Sequence, residues 1–91
     1  MSGRIKVTPE QMRSAASQFK SSSQQSNDMV NRLTQQMSGM QPEWEGMSSQ
    51  KFFQDFQQWK GSMTQFVTLL NEIGVQLEAI ATRFEQADRP G

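Results

Sequence analysis

Cysteine and histidine are both missing from the 91 residues, and each absence removes a class of explanation. Without cysteine no disulfide can compensate for the small core of so short a chain, so stability has to come from packed secondary structure. Without histidine the commonest metal ligand and general base is gone. Net charge is absent as well: nine basic residues balance nine acidic ones, which leaves no uniform positive field to draw nucleic acid or anionic lipid. No run of about 18 apolar residues occurs, and the opening segment from Met1 to Pro9 has neither the apolar stretch nor the small-residue cleavage site of a secretory signal. A membrane span and the general secretory route are both disfavoured. Exit from the cell would need a dedicated machine that accepts folded protein.

What is present reads as helix. Thr8-Pro9-Glu10-Gln11 is a helix start: Thr8 caps, Pro9 suits the first helical position, Glu10 favours the positive end, and Gln11 completes a capping box. From there Met12, Ala16, Phe19, Ser23, Ser26, Val30, Leu33, Met37 and Met40 alternate at spacings of four and three, a stripe along one helix face at a coiled-coil-like period. The stripe is weak at Ser21–Ser26. That segment holds no Gly or Pro and keeps the same phase on both sides, so it is expected to be continuous helix with room for a neighbour to approach Ser23 and Ser26 closely. Helix 1 is expected over about 9–38.

The one strong break lies in Gly39-Met40-Gln41-Pro42-Glu43-Trp44-Glu45-Gly46, where two Gly and one Pro predict a connection over about 39–47. Beyond it Phe52, Phe56, Trp59, Met63, Phe66, Leu70, Ile73, Leu77, Ile80, Phe84 and Ala87 again alternate four and three, predicting a second and much bulkier helix over about 48–86. Gly61 and Gly74 fall inside it without disturbing the phase, and both are expected to mark close packing. A mobile tail is expected over 87–91.

Two long helices joined by a short connection pack antiparallel, so the expectation is an all-α chain: one helix-turn-helix hairpin domain over 1–91. Residues 1–42 carry five basic against two acidic side chains and residues 43–91 four against seven, an asymmetry that favours folding one half on the other. A lone hairpin would leave much of each stripe in water, and Phe53, Val67 and Leu69 widen the apolar surface of helix 2. Two hairpins docking as a homodimer would bury the remainder in a four-helix bundle, with the hairpin and dimer core at Phe19, Leu33, Phe52, Phe56, Trp59, Met63, Phe66, Leu70, Ile73, Leu77 and Ile80.

Trp44-Glu45-Gly46 between two heptad helices, in a Cys-free chain of this length, resembles the WXG100 (ESAT-6-like) family. The resemblance implies Trp44 and Gly46 in the turn of a helical hairpin, and export through a type VII (ESX) secretion system. Members also carry a Tyr-x-x-x-Asp/Glu export motif after the second helix. Here Phe84-Glu85-Gln86-Ala87-Asp88 has the spacing and the acid with Phe in place of Tyr, so the phenolic hydroxyl is lost while aromatic packing is kept, and recognition shifts toward Asp88. Phe84 and Asp88 are the candidate export signal. The implied partners are a second copy, the type VII membrane ATPase and machinery, and a related WXG100 chain or larger effector. The implied location is cytoplasmic before export, then extracellular or at the cell surface.

Rival classes find less support in the residues. Glu43 and Glu45 flank Trp44, but they sit in a short exposed turn where no cleft is predicted to separate their pKa values. No phosphate loop, metal-ligand cluster or nucleophile pairing is present, so no catalytic residue, metal or cofactor is expected. The basic residues do not cluster and the aromatics lie on the packing seam, which argues against nucleic acid. An amphipathic helix rich in Phe, Trp and Leu would act on a bilayer if a dimer opened, which keeps a membrane-active effector as an alternative. With 14 Gln and 11 Ser on a weakly charged surface, a helical adaptor or chaperone escorting a larger effector is another.

Overall fold

The computed structural model describes residues 7–44 and 46–87. Helix α1 spans Pro9–Met40 and helix α2 spans Met47–Ala87, joined by a single 3-10 turn, Gln41–Glu43. The start of α1 is fixed by the predicted reciprocal cap: the Gln11 amide donates to Thr8 Oγ1 at 3.1 Å while the Thr8 amide donates to Gln11 Oε1 at 2.9 Å. These two bonds satisfy donors that the first turn would otherwise leave open. The helix runs unbroken through Ser21–Ser26 and continues past Gly39 to Met40. It stops at Pro42, whose ring has no N–H to extend the ladder; the last helical bond runs from the Gln41 amide to the Met37 carbonyl.

The two helices lie against each other along a body whose Cα trace measures 69 × 24 × 15 Å. On α1 the buried positions are Ala16, Ser23 and Val30, seven apart, with Met12, Phe19, Ser26, Leu33 and Met37 half-buried beside them. On α2 the side facing α1 is Ser49, Phe53, Phe56, Lys60, Met63, Val67, Leu70, Gly74, Leu77 and Ala81, all buried or half-buried. Phe56, Met63, Leu70 and Leu77 belong to the bulky stripe read from the sequence. Its alternate members Phe52, Trp59, Phe66 and Ile73 face outward instead, and Phe53 and Val67 take their place at the seam.

The reason for this choice of side is size. Ala16 and Ser23 leave little depth on α1, and the helices close to short range where α2 sets Gly74 against Ala16 and where its backbone at Val67 meets Ser23. A Cβ on Gly74 would stand 2.8 Å from Lys20 Cγ and 3.0 Å from the Ala16 carbonyl oxygen, inside normal contact range. Gly61 differs from the expectation: nothing lies within 4 Å of its Cβ position, so it is an exposed helical residue and not a point of close approach. At the tight crossing Ser23 Oγ donates to the Val67 carbonyl oxygen at 2.7 Å, which satisfies a buried hydroxyl.

Toward the chain ends one polar edge is laced by charge. Lys20 Nζ meets Glu78 at 2.6 Å, and Arg13 bonds both Thr82 Oγ1 and the Glu85 carboxylate. The Glu85 hydrogen bond raises the Arg13 pKa above its ordinary value against a smaller opposing desolvation. These pairs are solvent-exposed, so their contribution is to register more than to stability.

Candidate functional site

Seven-residue spacing sorts the hairpin's surface into two unlike edges. On one, Arg13, Lys20, Asn27 and Thr34 of α1 run beside Gln50, Gln57, Thr64, Asn71, Glu78 and Glu85 of α2, every one polar. On the other, Met12, Phe19, Ser26, Leu33 and Met40 run beside Phe52, Trp59, Phe66, Ile73 and Ile80, apolar but for one serine. Within this second column Phe52, Trp59 and Ile73 are 40% exposed and Phe66 is 48% exposed, with Leu69 next to them at 55%. Leu33, Met37, Phe52, Phe56 and Trp59, with Asp55 at the rim, line an open groove of about 380 Å³ on this face. Phe56 and Trp59 stack within it, centroids 5.6 Å apart. Among the described residues no large side chain is fully buried; the buried apolar residues are Ala16, Val30 and Ala81. The hairpin thus carries an unpartnered apolar stripe along its length beside a seam of small residues.

The turn is built around its tryptophan and its second glycine. The Trp44 amide closes the 3-10 turn onto the Gln41 carbonyl at 3.3 Å, and its own backbone is extended, φ −107° and ψ 107°. That places the indole over the first turns of α2, tilted on Phe52 at 5.2 Å and edge-on to Phe53 at 5.6 Å. Phe52 and Phe53 meet edge-to-face at 5.5 Å, so three aromatic rings lock the end of the hairpin. Gly46 adopts φ +117°, a backbone conformation that a side chain disfavours. Ser49 Oγ donates to the Gly46 carbonyl at 2.6 Å. Trp44 thus anchors the connection and Gly46 turns it into α2, which is the physical content of the Trp-x-Gly spacing. Beside them Gln41, Trp44, Gly46, Ser49, Gln50, Phe53, Gln54 and Gln57 line an open cleft of about 580 Å³.

The residues singled out in the sequence distribute as follows. Trp44 and Gly46 come together in the turn. Phe56, Met63, Leu70 and Leu77 lie in the seam with Phe19 and Leu33 at its apolar border, while Phe52, Trp59, Phe66 and Ile73 form the open face with half-buried Ile80. Phe84 is 45% exposed; it continues the seam one heptad beyond Leu77, next to Glu85, whose bond to Arg13 puts it at the end of the rod opposite the turn. Asp88 and Glu45 lie outside the described residues, and Glu43 is exposed. Sequence reasoning missed the cleft. Gln50, Gln54 and Gln57 share one helix face with Phe53, but polar residues carry no periodic mark of burial that would reveal a recess.

The profile of WXG100, "Proteins of 100 residues with WXG", matches residues 4–89. The chain belongs to the WXG100 family. Among WXG100 relatives, the protein YukE of Bacillus subtilis is 36% identical over 89 residues, covering 98% of this chain and 92% of that protein. The "type VII secretion system extracellular protein A" of Staphylococcus aureus is 29% identical over 85 residues, 93% of this chain and 88% of that protein. The crystal structure of Geobacillus thermodenitrificans EsxA superposes with a TM-score of 0.84 at 38% identity, covering 93% of this chain and 92% of that one. The WXG100 hairpin is therefore common to sequence and structure.

Proposed function

We propose that this WXG100 protein is a small substrate or component of a type VII secretion system, exported as a folded homodimer and acting by protein–protein contact. The observation that carries the reading is the open apolar column Phe52, Trp59, Phe66 and Ile73, which a second hairpin covers to complete a four-helix bundle. A stripe 69 Å long and one helix wide, about 10 Å, offers on the order of 700 Å² per protomer, close to the ~800 Å² a side of a standard stable interface. In the proposed dimer the two hairpins run antiparallel along this stripe.

In that arrangement the turn of one protomer lies by the chain ends of the other. Trp44 and Gly46 then share a surface with the partner copy's Phe84 and Asp88, a recognition site that a single hairpin, with Trp44 and Phe84 at opposite ends, does not assemble. The type VII relatives support the export assignment, and no described helix is long and apolar enough to cross a membrane.

The test is an immunoblot of culture medium from wild-type cells and cells lacking the type VII membrane ATPase, with a cytosolic marker as lysis control. Protein in the medium only when the ATPase is present is the expected result. Retention in both strains sinks the export reading, and co-purification of a second, related chain in stoichiometric amount replaces the homodimer with an escort complex.

A further inference from the structure

We infer that the two-fold axis of the homodimer passes at Phe66 and Ser26, and that Met29 and Leu69 of each copy seat beside Ser22 and Ser62 of the other, which makes these side chains the ones that select a second copy of this chain. This rests on the homodimer proposed above and adds its register and its specificity. An antiparallel two-fold lays each helix on its own equivalent, so a residue a given distance before the axis meets the residue the same distance after it, and the reverse. A face fits itself in this way only when its knobs and gaps are arranged about one point.

Four features of the apolar face share such a point. The column of α2, Phe52, Trp59, Phe66, Ile73 and Ile80, is centred on Phe66, and that of α1, Met12, Phe19, Ser26, Leu33 and Met40, on Ser26. On the outer border of α1, Met29 stands 38% exposed one heptad after Ser22, and Ser22 lines an open recess of about 170 Å³ with Gln18, Phe19 and Leu70. Exchange about the midpoint of that pair, between Gln25 and Ser26, brings each thioether to the other copy's recess. On the outer border of α2 the exposed Leu69 follows the small Ser62 by the same heptad, with its midpoint between Gln65 and Phe66. The two helices agree on the level. Ser23 meets Val67 and Ala16 meets Gly74, which sets Ser26 beside Thr64, two residues or about 3 Å from Phe66.

One axis therefore serves both helices. The layer at its centre holds two Phe66 rings and two Ser26 side chains, large beside small, which is how facing layers interdigitate. On either side of it the aromatic Trp59 and Phe52 meet the other copy's aliphatic Ile73 and Ile80. A related hairpin with a bulky residue in place of Ser22 or Ser62 would meet Met29 or Leu69 head-on, and one without bulk at those two knobs would leave the recess open. The pattern favours a second copy over such a chain.

The absence of cysteine from the chain makes the register readable by disulfide trapping in the full-length protein, with copper–phenanthroline as the oxidant. A Ser22→Cys/Met29→Cys chain cannot close on itself, because residues one heptad apart on a helix are about 10.5 Å apart and a disulfide needs Cα atoms within about 7 Å. On a non-reducing gel this double variant is expected to give at least about tenfold more covalent dimer than either single variant. Phe52→Cys/Ile80→Cys tests the same axis at the ends of the column and is expected to trap as well, whereas Phe52→Cys alone stays a single chain because its two copies lie about 42 Å apart. Trapping of Phe52→Cys alone marks a parallel pair, and failure of both double variants while light scattering of wild type gives the mass of two chains marks another register. Either result overturns this axis and leaves the homodimer standing. A wild-type mass of one chain removes the homodimer and this inference with it.

Discussion

Glycine-to-alanine exchange at two places in the same helix should act with opposite signs. In a solvated helix interior the exchange is stabilising by about 0.8–1.0 kcal/mol, because alanine loses less backbone freedom on folding. Gly61 meets that condition: it lies in α2 with nothing near its Cβ position. Gly74 does not, since its new methyl group would stand 3.0 Å from the Ala16 carbonyl oxygen and 2.8 Å from Lys20 Cγ. Lys20 can swing aside by giving up its bond to Glu78, but the carbonyl belongs to a helix and moves only if α1 moves. Inserting a methyl into such a seam costs about 1–3 kcal/mol, which outweighs the propensity gain and leaves Gly74→Ala destabilised by roughly 1 kcal/mol. The two variants should therefore differ by about 2 kcal/mol, or roughly 8–16 °C in Tm for a domain of this size. Circular dichroism melts and urea titrations at one fixed protein concentration would measure this, the concentration being held because assembly shifts apparent stability. If Gly74→Ala melts as high as Gly61→Ala, the close approach of the helices is wrong.

Four further outcomes follow from the geometry. Phe66→Lys places a charge in the centre of the apolar column without touching the hairpin seam, so light scattering should give the mass of one chain where the proposed homodimer gives that of two, with helicity largely kept. Thr8→Ala removes one half of the reciprocal cap and should lower stability by about 1 kcal/mol, seen as early loss of amide protection in the first turn of α1 by hydrogen exchange. Gly46→Ala forces a side chain into positive φ at a cost of about 1–2 kcal/mol, and near-ultraviolet dichroism should report a loosened Trp44 environment. Ser23→Ala removes the hydroxyl bond to Val67 and should cost about 0.5–1.5 kcal/mol in urea titration; no loss would mean the hydroxyl does not hold the crossing.

Much of this was legible in the residues themselves. The cap at Thr8, the unbroken passage through the serine run and the turn around Trp44 each followed from local rules, because each depends on neighbours in sequence. Helix 2 was ambiguous for a definite reason. Phe56, Met63, Leu70 and Leu77 fit two heptads at once, one completed by Phe52, Trp59, Phe66 and Ile73 and the other by Phe53, Lys60, Val67 and Gly74. Bulk favours the first, but the seam is chosen by what α1 has room for, and Ala16 has room for Gly74 and little else. That is a property of the pair of helices and is written in neither alone. The same argument separates Gly74 from Gly61, which look alike until α1 is laid beside them. The glutamine cleft escaped because polar residues carry no periodic signal of burial, and only the turn's approach from the other side makes a recess of them.

The dimensions of the rod bear on the proposed export. A hairpin gains contact area by growing longer, and its girth does not change: the trace here is 69 Å long but 24 by 15 Å across. A second hairpin laid on the thin side at the usual helix spacing of about 10 Å brings that 15 Å to about 25 Å and leaves the other width as it was. The proposed pair would then be a nearly square peg, with the apolar column covered along the shaft and its aromatic turns at the two tips. Were it exported folded and threaded end-on, it would present a tip bearing Trp44 first, and the aperture it needed would be set by its cross-section and not by its length.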